Sequence, residues 1–562
     1  MASNKVSVVL QPLDSSEFVS ALRSFRRVLL SCVGPEGGIK IVISGAGYTT
    51  FTSSSSRLLN NITLSNPVCV FIKQIIQSQI NAFLDHGLYT GILITSLLEK
   101  ILSHNIGLSV PAVASIIEHL SSILLSLFDL NCIKLKADFS TVKQLLSVVK
   151  SILSTKPTCG LSKADIQNLH LSIVKGFLQT TNETFGDVIV ECIEATEMKS
   201  DVFLGILYHI NYDDISTVLY EKCNKKGCIS LLLFNIMLTG EETSKVSESR
   251  SIKLEDRKSS NSFVEEAMKL FEQIVELNID VVACQKVVHP TICLYLQRKG
   301  ILLLDRMGTD LTHAVEKLSG ATPISSIKHC SQDPGGLRSL LGTVETLKMV
   351  EHGQKYYVLL EKSGSNIATL VAHAPNEEAA MELKVVIKQS LSALRCLTIY
   401  PAVVPGAGCT EMSLVIRLQD LAVNDFDKYN CSRSQLESCV SWLQIALLSA
   451  AGFTTAGSSQ LTADTVFGHA WKLNREACCC GLVSVKMVHD GCGRWIEVFN
   501  NDGNLLLQDI TSLSALSSFP PSVKEDTVVD LFQTKHNAVK LSLESCVNLL
   551  AIGMIVYKSP ND

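Results

Sequence analysis

The sequence predicts an α/β multidomain chain, with helical segments at both ends and an α/β segment between them. Three observations carry this. From Ile279 to Ile327 short apolar runs alternate with helical patterns in a βαβαβ rhythm, the signature of parallel strands joined by crossover helices. The first third and the last thirty or so residues show apolar residues at helical spacing instead. At roughly 150 residues per domain, the 562 residues allow three or four domains.

Taken in order, Asp14 and Glu17 read as a capping box, and Phe18, Leu22, Phe25, Leu29 and Cys32 form one apolar face. That helix ends at Gly34-Pro35. The stretch Ile39 to Thr52 reads as a hairpin. Asn66 and Pro67 have the chemistry of an N-cap and first helical residue, and a further helix is expected over Leu88 to Leu102. Thr239 to Ser262 is polar, charged and serine-rich, a composition that cannot bury a core. A helix follows it, with Ser262 and Glu265 as a capping box and Val264, Met268, Phe271 and Val275 on one face. In the βαβ region, Ile279 to Cys284 is a strand, and His289-Pro290 opens a helix carrying Leu294 and Leu296. Lys299-Gly300 ends that helix, and Ile301 to Leu304 is the next strand. Val440 to Phe453 reads as a buried helix, and Asp530 to Tyr557 as an amphipathic one.

Composition narrows the function. Charged residues make up 18% of the chain, below the usual quarter, which suits a surface partly hidden against other proteins or an unusually large core. A net charge of −5 lacks the basic footprint of a nucleic-acid binder. No uninterrupted apolar run reaches the 18 or so residues of a membrane span, so no membrane insertion is expected. Met1 to Val6 lacks the layout of a signal peptide, and 19 cysteines, an odd number, suit free thiols in a reducing, cytoplasmic compartment. Cys478, Cys479 and Cys480, followed by His489 and Cys492, form the densest cluster. Three adjacent cysteines cannot all face one ion, and CxxC pairs are absent, so no metal is expected. A GxSxG elbow and a GxxxxGK[ST] loop are also absent. His289, at a strand-to-helix corner, is expected to cap or pack.

The order of residues in the βαβ stretch, with Cys284-Gln285-Lys286 after the first strand and Asp305-Arg306 after the second, resembles the apical, client-contacting domain of group II chaperonins. The resemblance extends along the chain. Gly34-Pro35-Glu36-Gly37-Gly38, with Lys40 just beyond, matches the turn that approaches nucleotide phosphates in that family. Gly406-Ala407-Gly408-Cys409-Thr410-Glu411 matches its C-terminal glycine triplet and glutamate, Lys355 to Leu383 the return from the apical domain, and Trp495 to Phe499 the strand near the nucleotide base. SILSTKPTC, CQKVVHP, LLLDRMGTDL and PGAGCTE are most similar to the diverged chaperonin-like branch linked to McKusick-Kaufman and Bardet-Biedl syndromes.

This resemblance implies a group II chaperonin-like fold with nested domains. They are a helical equatorial domain (1–143 and 405–562), a small intermediate domain (144–200 and 343–404) and an α/β apical domain (201–342). Residues 239–262 then fall where the family carries its lid, either as a shortened lid or as a disordered loop. The family's ATP hydrolysis needs carboxylates that hold Mg²⁺ and orient water. One comes from a Gly-Asp-Gly-Thr-Thr loop, matched here by Asp85-His86-Gly87-Leu88-Tyr89-Thr90, with His86 at the aspartate position. The second matches Ser54, and the third, the general base, matches Ala393. An imidazole is a poor Mg²⁺ ligand, and neither a hydroxyl nor a methyl group serves as general base.

The implied protein is therefore not an enzyme but an ATPase-dead chaperone that assists assembly of the Bardet-Biedl coat complex for ciliary trafficking. Its implied partners are sister chaperonin-like proteins, the cytosolic ring chaperonin and the coat subunits, in the cytoplasm and at the centrosome or ciliary basal body. Gly34, Pro35, Gly37, Lys40, Gly87, Gly406 and Gly408 would form a vestigial nucleotide site. No cofactor is expected, though weak ATP binding stays open. Gln285, Lys286 and His289 would contact clients. Two alternatives remain: an active ATP-driven chaperonin subunit, which Asp85 alone favours, and a redox or zinc protein using Cys478 to Cys492.

Overall fold

A computed structural model describes residues 6–33, 38–44, 47, 49–130, 133–139, 141–155, 161–182, 184–210, 226–239, 256–327, 334–353, 355–424, 429, 431–453, 461–464, 466–473, 475–490, 495–499, 505 and 527–558. It mixes helix and sheet. The chain divides into two compact units, Met1–Val174 with Asn376–Asp562, and Lys175–Pro375. The segments expected to form an intermediate domain are divided between them. Helices Lys143–Leu153 and Glu377–Ile399 belong to the first unit; strands Asp187–Glu194, Ser200–Leu204 and Ile367–Ala374 belong to the second.

The first unit is built around one helix, Gly87–Ser103, buried continuously from Gly87 to Leu98 and again at Ile101. From Gly87 to Leu98 its sequence carries no charged residue on any side, which suits the centre of a core. The neighbours that cover it are Ser16–Leu30, Pro67–Phe83, Arg433–Ala450 and Phe532–Leu550. Gly91 permits the close approach: a Cβ there would lie 2.7 Å from side-chain atoms of both Ile76 and Leu29.

The expected elements form here with small shifts. The first helix buries Phe18, Leu22, Phe25 and Leu29. Its cap, however, is Ser15, whose Oγ accepts from the Phe18 amide at 3.1 Å; Asp14 lies in the short 3-10 turn Pro12–Asp14. Asn66 Oδ1 caps the next long helix by accepting from the Val68 and Cys69 amides. Lys40–Ile43 and Thr49–Thr52 pair as the antiparallel hairpin. The expected buried helix over Val440–Phe453 is the second half of Arg433–Ala450. The C-terminal helix is shorter than expected, Phe532–Leu550, because Met554–Lys558 extends instead and pairs antiparallel with Val6–Leu10.

The second unit holds a six-stranded sheet in the order Leu302–Leu304, Val281–Cys284, Lys226–Phe234, Gly342–His352, Lys355–Glu361, Ile206–Ile210. Its first three strands are parallel, as the βαβ rhythm requires. Side chains alternate between faces along a strand, and both faces are buried. Leu231, Leu233, Val281, Ala283, Leu302 and Leu304 join a core with Ala314, Val315 and Leu318 of helix Gly308–Ser319. Leu232, Phe234, Val282 and Cys284 join another with Leu270, Phe271, Ile292 and Leu296. That is why these strands read as continuous apolar runs rather than alternating ones.

Two details differ from expectation. The third strand of the βαβαβ pattern is reduced to one parallel bridge, Ile324 with Phe234. The helix expected from Ser262 already starts at Asp256 and runs to Glu276, so Ser262 is an interior residue rather than a cap. Its buried residues include Ala267, Leu270, Phe271 and Ile274, a stripe offset from the expected one. Most of the polar segment 239–262 lies outside the described residues. The second unit also contains a three-stranded sheet in which Ile367–Ala374 lies between Asp187–Glu194 and Ser200–Leu204.

Candidate functional site

Helix Glu377–Ile399 carries Ala393, one of the three positions that the resemblance aligned with catalytic carboxylates, and its side chains reach the neighbours of the other two. Residues spaced by seven and then four share one helical face, and here Glu382, Gln389 and Ala393 do so. Glu382, fully buried, accepts from Thr52 Oγ1 at 2.8 Å and from the Ser53 amide at 3.1 Å. The Arg57 guanidinium binds Glu382 at 3.1 Å and Glu378 at 2.9 Å. The serine turn that includes Ser54 is thus tied down by this chain's own carboxylate. Ser54 itself is buried, its amide donating to Thr52 Oγ1 at 3.0 Å.

About two turns further along the helix, Gln389 Nε2 donates to Asp85 Oδ1 at 2.7 Å. The same oxygen accepts from the His86 amide at 2.7 Å, and Asp85 Oδ2 lies 3.1 Å from His86 Nδ1. His86 stands before helix Gly87–Ser103 in left-handed conformation, φ 60° and ψ 18°, which costs a side chain about 1–2 kcal/mol. Its burial opposes protonation, but the charge and hydrogen bond of Asp85 outweigh this and raise the imidazole above its ordinary value. Asp85 Oδ1 is thus held by two donors of the chain, and Oδ2 lies at ion-pair distance from the imidazole. Ala393 is buried and offers no functional group.

The glycine-rich turn before helix Cys409–Asn424 is similarly filled by protein. Gly406 donates its amide to Val528 O at 2.8 Å. Gly408 has φ +80°, and a Cβ there would lie 2.3 Å from the Phe453 ring, so both the backbone and its neighbour require glycine. Beyond it, Glu411 and Asp530 both bind the buried ammonium of Lys535, at 2.9 and 2.6 Å. Burial opposes that charge, yet Asp530 and Glu411 more than offset it and hold the lysine protonated. Burial and then the Glu411 charge push the nearby Tyr89 phenol up.

Of the remaining expected nucleotide residues, Gly34, Pro35 and Gly37 lie outside the described residues. Lys40 folds back, its Nζ donating to the carbonyls of Ser31 at 2.9 Å and Gly38 at 3.1 Å. Gly87 is a packing glycine, where a Cβ would meet Ile80 at 2.6 Å and Ser55 Oγ at 2.8 Å. In the second unit, Gln285, Lys286 and His289 form the corner after strand Val281–Cys284. Lys286 and Val287 are exposed there, while His289 Nδ1 caps helix Pro290–Arg298 by accepting from Thr291 N at 3.2 Å.

The cysteine cluster draws on more of the chain than adjacent residues. Cys492 lies outside the described residues, and Cys479 does point away from its neighbours' cluster. Cys478 and Cys480, two residues apart, converge with Cys409 and His469, all four buried and with ligand atoms within 4.8 Å of one another. Reasoning restricted to adjacent cysteines missed the two partners supplied from elsewhere in the chain. It also missed Glu382 and Gln389, whose partners are remote in sequence, and the Asp530–Lys535 pair, five residues apart, which meets the remote Glu411. Cys409 and Glu411 were visible only as part of the glycine motif.

Comparison with known proteins agrees with this fold. Residues 25–455 match the TCP-1/cpn60 chaperonin family. The molecular chaperone MKKS of Homo sapiens is 27% identical over 497 residues, covering 86% of this chain and 85% of that protein. Its Mus musculus counterpart is 25% identical over 564 residues, covering 97% of each. The thermosome subunit alpha of Sulfurisphaera tokodaii is 24% identical over 422 residues, with coverage of 72% and 73%.

Proposed function

Because the chain belongs to the TCP-1/cpn60 chaperonin family, we propose that it is a chaperonin-like assembly factor that has ceased to hydrolyse ATP. The single observation that carries this reading is that Asp85, Glu382, Glu411 and Asp530, the described carboxylates of this cluster, each have a hydrogen-bond or ion-pair partner in the chain itself. His86, Ser54 and Ala393 stand at the expected carboxylate positions. Asp85 is bound by Gln389 and His86, Glu382 by Thr52, Ser53 and Arg57, and Glu411 and Asp530 by Lys535. Mg²⁺ requires several hard oxygen ligands in near-octahedral order, and Asp85 Oδ1, both Glu382 oxygens and one oxygen each of Glu411 and Asp530 already face donors or cations of the chain.

In this reading the chain acts with sister chaperonin-like proteins and the cytosolic ring chaperonin to assemble the Bardet-Biedl coat complex. Its place of work is the cytoplasm and the centrosome or ciliary basal body. The similarity to the molecular chaperone MKKS supports the chaperone half of the proposal; the coat complex is carried by the sequence resemblance. We retain the three-domain division given above, and the corner formed by Gln285, Lys286 and His289 as the client-facing surface.

The test combines phosphate release with reconstituted coat assembly. With Mg²⁺ and ATP, the purified chain, Asp85→Ala, His86→Asp and Ala393→Asp should all stay at background, because residues that act as a unit are not restored singly. Asp85→Ala should support coat assembly as wild type does, with any ATP dependence coming from the ring chaperonin. Mg²⁺-dependent turnover by wild type that vanishes in Asp85→Ala would replace this reading with an active ATP-driven subunit.

A further inference from the structure

Three separate segments of the helical unit place soft donor atoms at one buried point. Cys409 opens helix Cys409–Asn424, directly after the Gly406–Gly408 turn. His469 lies between the paired strands Leu461–Asp464 and Ala470–Lys472. Cys478 and Cys480 lie in a tight turn closed by the Cys478 amide on Val483 O at 2.9 Å and the Gly481 amide on Cys478 O at 2.9 Å. Cys478 Sγ is 3.3 Å from Cys480 Sγ and 3.2 Å from His469 Nδ1, and Cys480 Sγ is 3.3 Å from the same nitrogen.

We propose that Cys409, His469, Cys478 and Cys480 form a structural zinc site. Zinc–sulfur and zinc–nitrogen bonds of about 2.3 and 2.0–2.1 Å span a tetrahedron with edges of roughly 3.5–3.8 Å. The three separations of 3.2–3.3 Å among Cys478, Cys480 and His469 fall within about 0.5 Å of those edges, and no pair of the four donors exceeds 4.8 Å. Three thiolates and an imidazole form a closed donor set, the kind found in structural rather than catalytic sites. Soft sulfur ligands in a tetrahedral arrangement select zinc over the hard cations Mg²⁺ and Ca²⁺.

The surroundings support the ligands. The Val483 amide donates to Cys478 Sγ at 3.3 Å, and such second-shell donors orient and stabilise a metal-bound thiolate. The buried Asp464 carboxylate accepts the amides of Phe467, Gly468 and His469 at 2.6, 3.1 and 3.1 Å, together with Trp471 Nε1 at 2.9 Å. This fixes the loop that presents His469. The Val528 amide on Cys480 O at 2.9 Å links the turn to strand Val529–Leu531. A metal here would clamp the glycine turn in place from behind, with no need of nucleotide. The site lies outside the carboxylate cluster, so its test is independent of the ATPase question.

The full chain, expressed in zinc-supplemented medium and purified without chelator, should carry about one zinc per chain by elemental mass spectrometry. Exchange for Co²⁺ should give intense tetrahedral d–d bands and a thiolate-to-cobalt charge-transfer band. Cys480→Ser should lower zinc content at least about tenfold, and Cys479→Ser should leave it unchanged. The cobalt spectrum of wild type decides the matter if Cys480→Ser fails to fold. Wild type that stays essentially zinc-free after reconstitution would overturn the proposal. So would an octahedral cobalt spectrum without charge transfer, equal metal loss in Cys479→Ser, or a native disulfide between Cys478 and Cys480.

Discussion

The loop cluster around Asp85 in the helical unit and the corner around Lys286 in the α/β unit handle polar and apolar groups in opposite ways. At the first, Asp85, Glu382, Glu411 and Asp530 are each bound by groups of the same chain, and Ala393 and Ser54 are sealed from water. At the second, strand Val281–Cys284 is wholly buried, yet the residues after it emerge. Lys286 is exposed, Val287 is 36% accessible and Leu294 54%. A family member that binds and hydrolyses nucleotide needs polar groups left open for a ligand; one that grips other proteins needs accessible apolar ones. Among the described residues, the second kind of surface is present at the corner around Lys286.

The contrast can be broken most forcefully at Lys535. Lys535→Met would leave the buried Glu411 and the partly buried Asp530 without their shared cation, and removing one partner of a buried ion pair costs about 3–5 kcal/mol. Chemical denaturation should show that loss; a change under about 1 kcal/mol would mean the cluster is wetter and more open than described. Next is Gly408→Ala. A positive φ of 80° and a 2.3 Å approach to Phe453 should together cost about 2–3 kcal/mol. A neutral result would show that the glycine turn has room for a ligand.

His86 gives a smaller, pH-dependent effect. Its folded-state pKa is raised above 6.5, burial being outweighed by Asp85. The stabilisation is therefore fully present below the unfolded value and lost as pH rises through the raised folded one. Unfolding free energy followed by urea titration should fall across that window in wild type, and the fall should shrink in Asp85→Asn. An unchanged profile in that variant would remove Asp85 as the cause. The smallest expected effect on stability is at the exposed corner. Leu294→Ser should alter stability by no more than about 0.5 kcal/mol while weakening client capture in a pull-down with coat subunits. Undiminished capture would move the client surface elsewhere.

What could be read from sequence was whatever neighbouring residues decide together. Asn66-Pro67 announces a helix start because cap chemistry is local, and the face Phe18–Leu22–Phe25–Leu29 because helical spacing is periodic. Where two caps compete within a residue or two, as Asp14 and Ser15 do, local signals fix the helix but not its first turn. The sealing of the candidate site was not legible. Glu382 holds residues more than three hundred positions earlier in the chain, and nothing in its own neighbourhood signals that. The cysteines misled for the same reason: Cys478 and Cys480 were read as a local cluster, while Cys409 and His469 complete it from other segments.

The position of helix Phe532–Leu550 has a consequence for biosynthesis. It packs on Gly87–Ser103, a helix without charge on any side from Gly87 to Leu98, but leaves the ribosome more than four hundred residues later. At about 5–20 residues per second, the earlier helix waits on the order of tens of seconds for the last part of its cover. The unit Lys175–Pro375, continuous in sequence, can complete its own core during that interval. The helical unit cannot, so the nascent chain itself presents a long sticky segment that must be shielded during translation.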